Sequence, residues 1–463
     1  MNNRNENNGS GGADLGADRI GPLLFKLAFP AIVAQIINVM YNLVDRMYIG
    51  HIPDIGEAAL TGVGVTMPVI MAISAFAALV SMGGAPRASI MMGRGENEKA
   101  EKILGNCTTM LVIMAVILTA VFLIFGRDIL MIFGASDQTI GYAWEYMQIY
   151  AMGTIFVQIA LGLNAFINAQ GFAKMGMFTV AIGAVCNIIL DPIFMFGLDM
   201  GVQGAAWATI LSQAISCVWV FCFLTGKKSR LRIRLRNLKP EGKVIGPSLA
   251  LGISPFIMQF TESVLSVCFN TSLAKYGGDI AVGAMTILSS VMQFSMLPLQ
   301  GLTQGAQPIV SYNYGAGNLD RVKKTFFLLL KCSLIYSTLL WAISVFAPQV
   351  FVSIFTNGEE LGEYARWAMR IYMAMSLIFG AQIACQQTFI ALGNAKTSVF
   401  LALLRKVILL IPLIYIIPHF VDNKAMGVFL AEPIADTIAV TVTVTLFTIS
   451  FRKLLKNGIP ETK

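Results

Sequence analysis

Apolar stretches of about 20 residues follow one another along nearly the whole chain, separated by short polar breaks. Each can cross a hydrocarbon core of about 30 Å as a helix rising 1.5 Å per residue, and a helix satisfies its own backbone hydrogen bonds inside lipid. The expected class is therefore an all-α membrane protein with the lipid bilayer as its solvent. Composition agrees, since 56% of the 463 residues are hydrophobic and 13% are charged, about half the roughly 25% of a soluble domain. Windowed hydropathy predicts twelve transmembrane helices, at 22–48, 58–82, 100–124, 142–167, 171–197, 203–225, 244–272, 282–310, 322–350, 364–391, 396–419 and 425–450.

Residues 1–20 are rich in Asn and Gly and lack an apolar core, so a disordered cytoplasmic tail is expected there rather than a cleaved signal. Seven cysteines form no CxxC pair and nearly all sit in apolar runs, which implies neither disulfides nor a metal cluster. His51 and His419 have no ligand partners at metal spacing. No cofactor and no catalytic residues are expected.

The stretch GKKSRLRIRLRNLKPEGK, between the sixth and seventh spans, belongs in the cytoplasm by the positive-inside rule. Alternate loops then carry Arg94, Lys99 and Lys102, then Lys174, then Arg321, Lys323 and Lys324, then Lys396, so both termini are expected inside. Beside membrane helices this topological role outweighs nucleic-acid binding, and no nucleic acid is expected as a partner. The expected organisation is a tail (1–20), a first lobe (21–225), a basic linker (226–243), a second lobe (244–451) and a C-terminal tail (452–463).

The halves repeat. LAFPAIVAQ around Pro30 matches LGISPFIMQ around Pro255, GAPRASIMMGRGENEKAEK matches GAQPIVSYNYGAGNLDRVKK, and FINAQGFAK matches FIALGNAK, all offset by about 223 residues. Six helices per copy give both copies one orientation, so two six-helix bundles related by a pseudo-twofold along the membrane normal are expected, with a binding cavity between them.

Ionisable residues within spans are costly, about 2.5–3.5 kcal/mol for a central carboxylate, which marks them as functional candidates. Asp45 lies five residues before Gly50 on an outward-running span, Asp191 six before Gly197 on another, and Thr209 a similar distance into the next, inward-running one. At 1.5 Å per residue all three reach one depth. Asn187 precedes Asp191 by four residues and shares its helix face, and Tyr41 is near Asp45. Together they would form an oxygen-rich pocket. Two desolvated carboxylates side by side could share a proton, or the oxygens of Asp45, Asn187, Asp191 and Thr209 could hold Na⁺. Asp45 could instead pair with adjacent Arg46, and Asp191 could simply mark a turn ahead of Pro192.

Glu262, near the middle of the seventh span, is a candidate second-lobe or substrate contact, or a carboxyl kept within the bundle. Glu432 and Asp436 are expected to hydrogen-bond internally, and Arg405 and Lys406 to snorkel. The 25 methionines and 10% aromatic residues could supply an adaptable surface for flat apolar ligands.

Taken together, "PAIVAQIINVMYNLVDRMYIGH", "GEAALTGVGVTMP", "GRGENEKA" with its twin "GAGNLDRVKK", and "CNIILDPIFMFGLDMGVQGAAWATILSQ" resemble the multidrug and toxic compound extrusion (MATE) transporters, in particular their MepA-like bacterial branch. The resemblance runs from Pro22 to Leu455. It implies a monomeric antiporter of the bacterial cytoplasmic membrane that exports organic cations through a V-shaped cavity, driven by H⁺ or Na⁺. It also assigns ion coupling to the positions of Asp45, Asn187, Asp191 and Thr209, with Tyr41 nearby. Independently, Pro30 and Pro192 are expected to let their helices bend, so that ion occupancy reshapes the first-lobe cavity. The acidic residue that some members carry in span ten is replaced by Gln382, Gln386 and Gln387. A flippase of the wider superfamily is the alternative cargo reading. An intramembrane aspartyl protease would need YD and GxGD motifs, which Val44 before Asp45 and Leu190 before Asp191 do not supply.

Overall fold

The computed structural model describes residues 12–53, 55–356 and 358–458, and every regular element among them is helical. In chain order these are α1 (Ile20–Gly50), α2 (Gly56–Gly93), α3 (Asn97–Ile132), α4 (Ile140–Met152), α5 (Thr154–Ala169), α6 (Ala173–Pro192), α7 (Gly201–Thr225), α8 (Gly242–Gly315), α9 (Leu319–Phe346), α10 (Gln349–Phe355), α11 (Glu359–Tyr372), α12 (Ser376–Ala391), α13 (Ala395–Leu403), α14 (Ile411–Ile416) and α15 (Lys424–Asn457). Nine helical runs are long and apolar enough to cross a bilayer, and the bent pairs α4–α5 and α11–α12 each add one crossing. One of the nine, α8, makes two crossings. Its turning point is Gly278, whose φ of 66° and ψ of −164° suit glycine alone. Ser248 and Pro308, equally far from Gly278 in sequence, both bond to α2, through Arg87 and Ser89. Twelve crossings therefore lie among the described residues.

Several spans depart from straight helices. The fourth bends by 59° at Gly153, where the side chain of Ile210 on α7 fills the space a Cβ would need. The tenth bends by 50° between Tyr372 and Ser376. The ninth ends at Phe346, and Pro348 starts the separate α10, because proline cannot continue the hydrogen-bond ladder. The eleventh passes through a π-helical segment, Leu404–Leu410, between α13 and α14.

Two buried clusters hold the first half, one around Met147 and Leu130 and one around Leu104 and Phe166; a third, around Leu273 and Phe429, holds the second half. The opening turns of α1 belong elsewhere: Leu23, Leu24 and Leu27 pack with Ile309, Val322 and Phe326 of the second half. Close approaches between the halves gather at this end of the molecule. Gly83 on α2 has no room for a Cβ against Ser248, Gly252 none against Leu79, Gly93 none against Tyr312, and Gly305 none against Ala28. Small residues let these backbones touch.

The segment ahead of α1 corrects the expectation of a disordered tail over 1–20. Residues 1–11 lie outside the described residues, but from Gly12 onward the chain is docked, with Ala13 and Leu15 buried. The backbone N–H of Ala13 donates to Gly171 O at 3.2 Å, while Leu15 O accepts from Asn313 Nδ2 at 2.8 Å and Arg321 Nη2 at 3.1 Å. These bonds tie the segment to both halves at once. The basic linker is likewise anchored: Arg234 pairs with Glu101 at 2.6 Å, and Thr109 Oγ1 donates to Leu238 O.

Candidate functional site in the first lobe and the central cavity

α1 lies along α6, and this contact brings Asp45 to Asp191. Asp45 is 8% exposed and Asp191 fully buried. Asn187, one turn before Asp191, donates from Nδ2 to Asp191 Oδ1 at 3.1 Å and to Thr209 Oγ1 of α7 at 3.5 Å. Three acceptor oxygens, Asp45 Oδ1, Asp191 Oδ2 and Asn187 Oδ1, are buried without a hydrogen-bond partner. Burying such oxygens unpaired is costly, so the pocket is one that a proton or a small cation would complete.

The five residues expected to meet do meet. Tyr41, Asp45 and Thr209 line a side cavity of about 50 Å³, and Asn187 and Asp191 stand behind it. No ion pair joins Asp45 to Arg46 among the described residues, although Arg46 also borders the cavity. Sequence reasoning missed Tyr146 and Tyr150 on α4, which complete the wall. The Tyr146 hydroxyl lies 3.5 Å from Thr209 Oγ1, and the two phenol rings stack at 6.1 Å. Two phenols one turn apart in an apolar run were the available signal.

Pro30 is buried inside α1, which stays helical through it. Pro192 closes α6 and is followed by a π-helical turn, Ile193–Gly197, that carries the chain past Asp191.

A larger cavity of about 580 Å³ lies between the two halves, within the usual range for small-molecule sites. Tyr41, Thr209 and Gln213 line both it and the side pocket, so the two spaces adjoin. Its far wall carries Glu262, whose side chain is 57% exposed and whose Oε1 accepts from Lys406 Nζ at 2.7 Å.

Arg405 and Lys406 do not snorkel. Both are 5% exposed, turned into the second half from the π-helical segment. Arg405 donates from Nε to Asp436 at 2.7 Å and from Nη2 to Glu432 at 3.2 Å, and its guanidinium lies 4.5 Å from the Phe379 ring centre. A buried guanidinium with two carboxylates in hydrogen-bonding contact has its charge compensated locally. The internal bonding expected of Glu432 and Asp436 is thus with Arg405.

The MatE family model matches residues 30–193 and again 255–416, each match beginning at the paired prolines Pro30 and Pro255. "Multidrug export protein MepA" of Staphylococcus haemolyticus (strain JCSC1435) is 24% identical over 415 residues, covering 90% of this chain and 90% of its own. The protein of that name from Staphylococcus aureus (strain NCTC 8325 / PS 47) is 23% identical over 395 residues, covering 85% and 86%. Among solved structures, the MATE multidrug transporter DinF-BH is 33% identical with a TM-score of 0.87, covering 95% of this chain and 97% of that one. A MATE structure in the bent conformation, at 21% identity, shares the fold with a TM-score of 0.89 and coverage of 95% and 97%. With the family model matched twice and over most of its length, this chain belongs to the MatE family of membrane transporters and is similar to that family's MepA branch.

Proposed function

We propose that the chain is an exporter of organic cations in a bacterial cytoplasmic membrane, working as an antiporter coupled to H⁺ or Na⁺. Multidrug export by the MepA relatives supports the cargo class. The observation that carries the coupling is the set of three unpartnered buried oxygens on Asp45, Asp191 and Asn187, next to the cavity a cargo would occupy. An ion there relieves the mutual repulsion of two carboxylates and lets α1 lie against α6. Without it, that packing is less favourable. Coupling requires only that ion and cargo prefer different arrangements of the same helices, with Pro30 and Pro192 as the points of bending. In this reading both termini and the linker face the cytoplasm, each six-helix lobe moves as one body, and the protein works as a monomer.

Glu262 is the cargo-facing carboxylate of the second lobe. A lipid-linked anionic cargo would need free positive charge on the cavity wall, and Arg405 is held by Glu432 and Asp436.

The test is efflux of a fluorescent organic cation from proteoliposomes under proton and sodium gradients imposed separately. One gradient is expected to drive uphill transport, and Asp45→Asn is expected to lower the driven rate by about tenfold or more while leaving the protein folded. Unimpaired driven efflux in Asp45→Asn would defeat the coupling assignment.

A further inference from the structure

Carboxamides dominate the polar lining of the central cavity. Thirteen of its forty-eight lining residues are Asn or Gln, against two rings, Tyr41 and Phe379. Methionines contribute only Met82, Met177, Met258 and Met296, so the adaptable aromatic and thioether surface expected from composition is not what the cavity presents. On α8 the amides stand at Gln300, Gln304 and Gln307, a spacing that puts all three on one helix face. On α12, Gln382 and Gln386 stand one turn apart, with Gln387 beside them.

Several of these groups have an end without a partner. Gln307 Nε2, Gln382 Oε1, Asn164 Oδ1 and Asn187 Oδ1 are buried and make no hydrogen bond. Gln382 is 1% exposed and donates to Gln386 Oε1 at 3.2 Å, while Gln386 Nε2 reaches only the thioether sulfur of Met258, a weak acceptor, at 3.2 Å. Turning an amide over exchanges which end is left unpaired and does not remove the shortfall. Among the lining residues, formal charge resides on Glu262 and Arg405 alone, and of these only the Glu262 side chain is open to the cavity.

A ligand that replaces water against such walls must bring hydrogen-bonding groups, because an apolar one strips water from the amides open to the cavity, such as Gln259, Gln300 and Gln304, and returns no bond. Building on the organic-cation reading above, we infer that the preferred cargo is a hydrophilic organic cation. Its positive centre sits against Glu262, and its hydroxyl, ether or amide groups sit against the glutamines of α8 and α12. Flat lipophilic cations are the poorer ligands.

The experiment compares three compounds of equal heavy-atom count on the full-length protein in detergent, by calorimetric titration against a protein-free micelle blank. They are a quaternary ammonium ion with hydroxyl and carboxamide arms, its analogue with alkyl and phenyl arms, and an uncharged version of the first. The hydroxylated ion is expected to bind tighter than the alkyl–phenyl ion by about tenfold or more. In Gln307→Leu/Gln382→Leu that preference is expected to fall to near parity, with the alkyl–phenyl ion bound as well as before or better.

Equal or tighter binding of the alkyl–phenyl ion by the unaltered protein overturns the inference without recourse to any variant. So does an undiminished preference in a double variant that unfolds at the original temperature. Equal binding of the uncharged compound would uphold the amide recognition and sink the organic-cation reading, whereas failure of both ions to bind would overturn the two together.

Discussion

At the scale of single residues, the chain holds two kinds of intramembrane charge. Asp45 and Asp191 have no cation bonded to them among the described residues, and buried oxygens of both lack partners. Arg405 is instead held between Glu432 and Asp436, all three side chains 5–7% exposed. The first arrangement invites an exchangeable ion; the second resists change. Removing the guanidinium in Arg405→Leu leaves two buried carboxylates facing each other, with an expected cost of about 3–5 kcal/mol, read as a lowered unfolding temperature in detergent. Adding Glu432→Gln and Asp436→Asn to the same chain is expected to restore most of that loss. Lys406 belongs between the two kinds, since its partner Glu262 is largely open to the cavity and its bond is correspondingly weaker.

At the scale of elements, irregularities in the helices put side chains where regular ones could not. The π-helical segment Leu404–Leu410 turns both Arg405 and Lys406 inward, although consecutive residues of an α-helix point about 100° apart. That local widening is why the sequence suggested snorkelling and the structure has burial. The bend at Gly153 depends on a different device, the seating of Ile210 in the place of a missing side chain. Gly153→Val is expected to displace Ile210 and destabilise the α4–α7 contact by about 1–3 kcal/mol, measured by thermal unfolding. Ile210→Ala in the same chain should recover part of the loss, because it empties the contested volume.

At the scale of the whole molecule, the two halves meet backbone to backbone at the end that carries the linker and the docked segment before α1. Alternating access would require this seam to part. Gly252→Val places methyl groups on the Leu79 carbonyl and is expected to hold the seam open. Spin labels at Lys174 and Lys396, one in each repeat's matching loop, would then report a larger population at long separation; an unchanged distance distribution would contradict the seam's role. Much of this architecture was legible in the sequence, because lipid allows few solutions: apolar length gave the twelve crossings, duplication gave the two halves, and a rise of 1.5 Å per residue put Asp45, Asp191 and Thr209 at one depth. Depth along a helix is a one-dimensional property, and sequence spacing carries it. Which way a side chain faces, and what another helix sets opposite it, depends on packing between segments hundreds of residues apart. The ion pair of Lys406 with Glu262, the phenols of Tyr146 and Tyr150, the amide lining of the cavity and the burial of Leu15 were therefore decided by the tertiary structure alone.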